Sequence, residues 1–346
     1  MRRAWQALGQ SSRPGSGRRG SSTTWRCRRR DGATRKGEGL TGRSDISGLV
    51  DEIRRLAAER GAVILAHNYQ RPEVQDVADF VGDSLGLSRQ AAGTDAEVIV
   101  FAGVHFMAET AKILAPDKTV LMPEPAAGCP MADMITAEQA MAFKAEHPGV
   151  PLVTYVNSSA EVKAVSEVCC TSANAPEVVR SLGVERVLFA PDRNLAAWVA
   201  AQVPEVEIIP WDGFCPTHDR VQVEAVEEAA REHPDAEVLV HPECRPEVVA
   251  LADAVLSTSG MLRHAVASDA EEFVVVTEEG LMHGLEKAAP GKRFFGVCPP
   301  MLCPSMKLTT LEKVCDCLLQ MSGEVRVPDD VRARAHAAVE RMIAIG

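Results

Sequence analysis

The stretch HNYQRPEV, residues 67–74, follows the apolar run AVILA, and its punctuation returns as YVNSSAEV at 155–162 and as HPECRPEV at 241–248. Each copy ends an apolar run (AVILA, PLVTY, AEVLV) and opens a polar-to-apolar segment, which reads as strand, turn and helix. With Glu73, Glu161 and Glu247 as anchors, the steps are 88 and 86 residues. Counting on by 11, 11 and 12 residues reaches Ser84 in GDSLG, Ser172 in CTSAN and Ser259 in STSGM. Twenty-eight residues past each anchor lies another buried-strand pattern, with Phe101, Phe189 and Val275, and a further one follows at TVLMPE, EIIPWD and RFFGV. Such continuous runs alternating with helical patterns indicate parallel sheets covered on both faces. The sequence therefore predicts an α/β fold of three similar αβα sandwich domains with parallel sheets, in pseudo-threefold arrangement around a central cavity. The expected limits are 45–129, 130–215 and 216–303, with C-terminal helices in 304–346 packing back on the first domain.

The same period returns in the cysteines. Cys129 in AAGCPMAD, Cys215 in DGFCPTHD and Cys303 in MLCPSMK are separated by 86 and 88 residues, and each is followed by Pro. Pro is favoured in the first helical turn, so each Cys is expected at a helix N-terminus, where the dipole would lower the thiol pKa. One thiolate from each of three equivalent lobes would then meet at one centre, beyond the carboxyl ends of the strands where ligands collect. Cysteine ligation favours zinc or an iron-sulfur cluster over magnesium or calcium, and spacing alone does not choose between the two. A single buried Cys is more often inert packing. Three at matched repeat positions read as ligands. Cys169 and Cys170 read as strand interior, and Cys315 and Cys317 as helix; Cys298, five residues before Cys303, is the rival for the third ligand, although the repeat prefers Cys303.

Composition bounds the function classes. Of 346 residues, 46% are hydrophobic and 25% charged, ordinary values for a globular protein. Residues 1–44 carry twelve Arg or Lys and two acids, net +10, leaving 25 basic against 46 acidic residues, net −21, on 45–346. The acidic body argues against nucleic-acid binding. The basic head has too few apolar residues to fold and is expected to be a disordered extension; its Arg- and Ser-rich, acid-poor make-up also suits a transit peptide or a start codon set too early. The head holds no secretory core and no apolar run is long enough to span a bilayer, so the expected location is cytoplasmic, and the ten cysteines read as reduced thiols, metal ligands or catalytic groups rather than a disulfide framework.

In this order, HNYQ, GDSL, AGCPMA, YVNSSAEVKA, CCTSAN, WDGFCPTH, HPEC, STSGM and CPSMKLTTLEK resemble the quinolinate synthase (NadA) family, over roughly residues 50–315. The resemblance implies three αβα domains around a cavity and a 4Fe-4S cluster on Cys129, Cys215 and Cys303. It implies condensation of iminoaspartate with dihydroxyacetone phosphate to quinolinate in de novo NAD biosynthesis, with L-aspartate oxidase as the upstream partner and neither nucleic acid nor membrane bound. It places substrate contacts at His67, Ser84, Tyr155, Val156, Asn157, Ser172, His241, Pro242, Glu243 and Thr258, with Tyr69 and His218 facing the cavity.

Chemistry suggests roles for these positions. Glu243 and Tyr155 are candidate acid/base groups, and Tyr69 and His218 join them as candidate catalytic residues, while His67 and His241 can donate or accept near neutral pH. Ser84, Ser172 and Thr258, near helix starts, suit carboxylates or phosphate. Any one of these histidines alone would read as a hydrogen-bonded structural residue; the shared repeat position favours function. Two rivals stay open: a hydro-lyase using an open-iron cluster on a hydroxy acid, and an iron-sulfur electron carrier. Glu227 and Glu228 read as a solvated helix face, and VPDDVRARAHAAVERMIAIG as an amphipathic helix whose apolar stripe joins the core.

Overall fold

Branched apolar residues fill the runs at 62–67, 98–102, 186–190 and 272–276, and each run is a buried strand in the computed structural model, which describes residues 43–345. Nearly all of the basic extension expected over 1–44 lies outside the described residues. Strands β1 (Ala62–His67), β2 (Phe80–Gly82), β3 (Val98–Ala102) and β4 (Thr119–Leu121) form a sheet in the order β2-β1-β3-β4. Next come β5 (Leu152–Tyr155), β6 (Val168–Cys170), β7 (Arg186–Ala190) and β8 (Glu207–Pro210), ordered β6-β5-β7-β8. The third sheet uses β9 (Glu237–Val240), β10 (Ala254–Val255), β11 (Glu272–Val276) and β12 (Arg293–Gly296), ordered β10-β9-β11-β12. One permuted order thus occurs three times, and every strand pair within these sheets is parallel. The three similar sandwiches expected from the repeat are the fold.

Parallel neighbours need crossover connections, and helices supply them. The chain steps from β1 outward to β2, then back across β1 to β3, so the crossovers leave opposite sides and open a crevice between the carboxyl ends of β1 and β3. The same switch point falls between β5 and β7 and between β9 and β11. The strand-end turns at 67–70, 155–158 and 241–244 stand at these three crevices.

Local signals fix where the helices begin. Asp83 accepts from the Gly86 N–H and caps Ser84–Gly93; Ser257 does the same through the Gly260 N–H for Thr258–Ala267, and Asp192 accepts from Asn194 and Leu195 for Arg193–Gln202. One apolar cluster runs through all three sheets and includes Leu65, Phe101, Phe189 and Phe273. The helix Leu311–Gln320 packs on Arg43–Glu59 of the first lobe. The tail helix Asp329–Ala344 reaches further than the expected packing on that lobe. It lies against His105–Leu114 and also against β6 and Ala160–Lys163 of the second, because its buried stripe of Val331, Ala335, Ala338, Val339 and Met342 finds apolar surface on both.

Candidate active site and metal centre

The carboxyl ends of the three sheets enclose a cavity of about 310 Å³. Cys129, Cys215 and Cys303 all line it, each delivered by the segment after the last strand of its own sheet. His67, Tyr69, Ser84, Tyr155, Asn157, Ser172, His218, His241, Glu243 and Thr258 line it as well. Val156 and Pro242 are buried in the same strand-end turns but are not part of the lining. Cys303 faces the cavity; Cys298 is absent from its wall. Cys169 and Cys170 lie in β6, Cys315 and Cys317 in the helix Leu311–Gln320, and Glu227 and Glu228 are exposed.

Only single turns follow the three cysteines expected at helix N-termini. Cys215 precedes the single turn Pro216–Asp219, while Ala132–Met134 and Ser305–Lys307 are one-turn 3-10 helices behind Cys129 and Cys303. Their dipoles are correspondingly small. Burial pushes the Cys129 thiol up to about 12 and raises Cys215 and Cys303 too, against a smaller opposing pull from backbone N–H groups: Met131 and Ala132 for Cys129, His218 for Cys215, Ser305 and Met306 for Cys303. The expected lowering of the thiol pKa is therefore overturned, since desolvation outweighs one turn of amides. A cation at the thiols would reverse that balance.

The polar side chains form a chain of short contacts. The Tyr155 hydroxyl donates to Glu243 Oε1 at 2.6 Å, and Glu243 Oε2 lies 2.7 Å from His218 Nδ1. His218 Nε2 is 2.9 Å from Thr277 Oγ1, which is 2.5 Å from the Tyr69 hydroxyl. One proton assignment satisfies every link: Tyr69 donates to Thr277, Thr277 to His218 Nε2, and His218 Nδ1–H to Glu243. Burial would raise the Glu243 carboxyl, but the facing imidazoles of His218 and His241 and the hydrogen bonds from His218 and Tyr155 hold it well below the carboxylate range. Burial lowers His67 to about 4 and His241 to about 3, so both rings are neutral at pH 7. The Tyr69 and Tyr155 phenols are pushed up by burial and by the Glu243 charge.

Sequence reasoning missed several wall residues, among them Asp83, Arg220, Glu278 and the apolar Val104, Phe106 and Met107. A signal for two of them was in the repeat: Val104 and Glu278, like Asp192, each stand 31 residues after their anchor, at the second strand end of the crevice. Glu278 is buried; it accepts from the Cys303 N–H at 3.1 Å and from Gly280 N–H at 2.7 Å, and pairs with Lys307 at 2.9 Å. Arg220 follows the Cys215 turn and is the arginine on the wall. Nothing in the local spacing marked it.

Two ligand sets are available. Among the described residues, Cys215, His218 and Glu243 present donor atoms within 4.8 Å of one another, whereas the three cysteines do not form such a set. A tetrahedral zinc, with Zn–S of about 2.3 Å, would hold its sulfurs about 3.8 Å apart. Thiols spread more widely suit a polynuclear cluster.

Comparison with known proteins adds a separate line of observation. Residues 51–344 match the family model for NadA, quinolinate synthetase A protein. The chain is similar to a quinolinate synthase of Thermodesulfovibrio yellowstonii, 54% identical over 300 residues covering 87% of this chain and 99% of that protein. It is 56% identical to a quinolinate synthase of Geobacter metallireducens, over 86% of this chain and 97% of that one, and 54% identical to one of Methanosarcina barkeri over 86% and 97%.

Proposed function

The chain belongs to the NadA family of quinolinate synthases, enzymes of NAD biosynthesis, and on that premise we propose that it condenses iminoaspartate with dihydroxyacetone phosphate to quinolinate, losing two waters and phosphate, with a 4Fe-4S cluster on Cys129, Cys215 and Cys303. The observation that carries the reading is the convergence of one Cys from each sheet on a cavity walled by His, Tyr and Glu. The donor set fits the group. All three ligands are thiols, backbone amides favour the thiolate at each, and no single ion accounts for their spread. Such a cluster, when bound, supplies one iron lacking a protein ligand as a Lewis acid for a departing hydroxyl oxygen.

The chain's own residues do the rest. Ser84 and Thr258 open their helices on the cavity wall and Ser172 lies on it in the turn before Ala175–Ser181, so their hydroxyls can stabilise a carboxylate or phosphate, and Arg220 adds a positive charge at the wall. His67 and His241, neutral at pH 7, donate or accept hydrogen bonds without adding charge. Glu243 holds a proton acceptor between Tyr155 and His218, and the contacts through Thr277 to Tyr69 let a proton move from one side of the cavity to the other. Walls of Val104, Phe106 and Met107 exclude water, which favours dehydration and imine formation. A cytoplasmic location and L-aspartate oxidase as the source of iminoaspartate belong to the same proposal; among the described residues no helix is long and apolar enough to cross a membrane.

Anaerobic purification with iron and sulfide counts, followed by a quinolinate assay, tests this. The expected result is a cluster lost in each Cys→Ser variant, quinolinate formed from both substrates, and Glu243→Gln retaining iron while turnover drops about 100-fold or more. A clustered protein that dehydrates a hydroxy acid and makes no quinolinate would establish the hydro-lyase instead, and one whose cluster has a fourth protein ligand would be an electron carrier.

A further inference from the structure

Cys215 and His218 belong to CPTH, a Cys-x2-His spacing, and the single turn Pro216–Asp219 brings both onto one face of the chain. His218 Nδ1 lies 3.2 Å from Cys215 Sγ and 2.7 Å from Glu243 Oε2. The side chains of His218 and Glu243 are 1% and 5% exposed, so water does not compete for these donors from behind. The outer contacts also suit a metal ligand: His218 Nε2 rests on Thr277 Oγ1 at 2.9 Å, which fixes the ring, and Glu243 Oε1 is engaged by Tyr155, leaving Oε2 turned to the imidazole.

We propose that the cluster-free protein binds one zinc-class divalent cation through Cys215 Sγ, His218 Nδ1 and Glu243 Oε2, with the fourth position open to the cavity. A thiolate and a carboxylate neutralise the dication, and the sulfur and nitrogen donors select zinc over magnesium or calcium. On binding, the thiol proton leaves to solvent and the imidazole carries its proton on Nε2, toward Thr277. The site lies in the same cavity as the cluster ligands and shares Cys215 with them, so the ion and the cluster exclude each other. Only this exclusion rests on the cluster reading; the binding itself does not. Metal overload would thus hold newly made protein in a form that cannot accept its cluster, until a chelator removes the ion.

The test uses full-length, cluster-free protein under anaerobic conditions, titrated with Co2+ as a spectroscopic probe and with Zn2+ in competition. One equivalent is expected to bind with a thiolate-to-cobalt charge-transfer band. Cys129→Ser and Cys303→Ser should retain both the band and the affinity. His218→Ala and Glu243→Gln should weaken binding by more than about 100-fold, and Thr277→Val by about 10–100-fold through loss of the ring's outer hydrogen bond. Loss of binding in Cys129→Ser with retention in His218→Ala would overturn the assignment in favour of the three cysteines, as would the absence of any stoichiometric site. Zinc added first should reduce the iron and sulfide taken up on reconstitution, and His218→Ala should restore that uptake; iron loading indifferent to zinc would refute the exclusion while leaving the quinolinate assay to judge the family activity separately.

Discussion

At the scale of single residues, the cavity keeps two imidazoles out of water, and the carboxylates near them, Glu243 for both and Asp83 for His67, offset only part of that cost. An unfolded chain protonates such rings near 6.5, whereas His67 waits until about 4 and His241 until about 3, with burial the leading cause for both. Between those values the unfolded state binds more protons, so stability falls as pH drops below about 6.5. At 1.36 kcal/mol per pKa unit, His67 alone accounts for about 3 kcal/mol when the window has been crossed. Glu278 opposes this, since burial raises its carboxyl and the folded state gains protons there on acidification. The informative measurement is therefore a difference: denaturation midpoints of the wild type and His67→Gln from pH 7 to pH 4.5, with the variant expected to lose stability less steeply. Parallel curves would show that the ring takes up its proton in the folded chain as readily as in the unfolded one.

At the scale of elements, the segment 302–307 is pinned from two sides. Lys307 donates to the Tyr69 carbonyl of the first lobe at 2.6 Å and to Glu278 of the third at 2.9 Å, while Glu278 accepts from the Cys303 N–H. Gly280 permits this approach, because a Cβ there would meet Tyr69 O at 2.6 Å and Lys307 Nζ at 2.8 Å. Removing one member of a buried ion pair costs about 3–5 kcal/mol, and Lys307, with its side chain 19% exposed, belongs at the low end. Lys307→Met is expected to destabilise the chain by about 3 kcal/mol in urea denaturation and to lower iron occupancy by loosening Cys303. Adding Glu278→Gln should recover part of the loss, since the stranded charge is then gone. Additive losses in the double variant would dissolve the coupling.

On the scale of the whole molecule, the tail helix Asp329–Ala344 joins two lobes. Asn174 of the second lobe donates to the Met342 and Ile345 carbonyls at 3.0 and 2.9 Å, and Arg89 of the first donates to the Ile343 carbonyl at 2.9 Å. Val339 and Met342 on its inner face are fully buried, and each is worth about 1.5–3 kcal/mol of burial. Val339→Asp is expected to lower the melting temperature by several degrees and to open the first and second lobes to proteolysis before the third. Unchanged melting would mean that the lobes hold together through the cavity contacts alone.

The sequence by itself determined the triplicated sheet, the matched spacing of the three cysteines and the strand-end turns around 67, 155 and 241, because these follow from local periodicity and from a repeat that needs no knowledge of contacts. Only the tertiary structure decided what lies between the copies. The Tyr155–Glu243 and Tyr69–Thr277 bonds, the Glu278 support of Cys303, the placement of Arg220 and the two-lobe seat of the tail helix join residues far apart in the chain, and no spacing rule encodes them. The thiol pKa was decided there too: chain position puts an amide turn behind each sulfur, but the direction of the shift depends on desolvation, which exists only once three lobes have closed around one cavity.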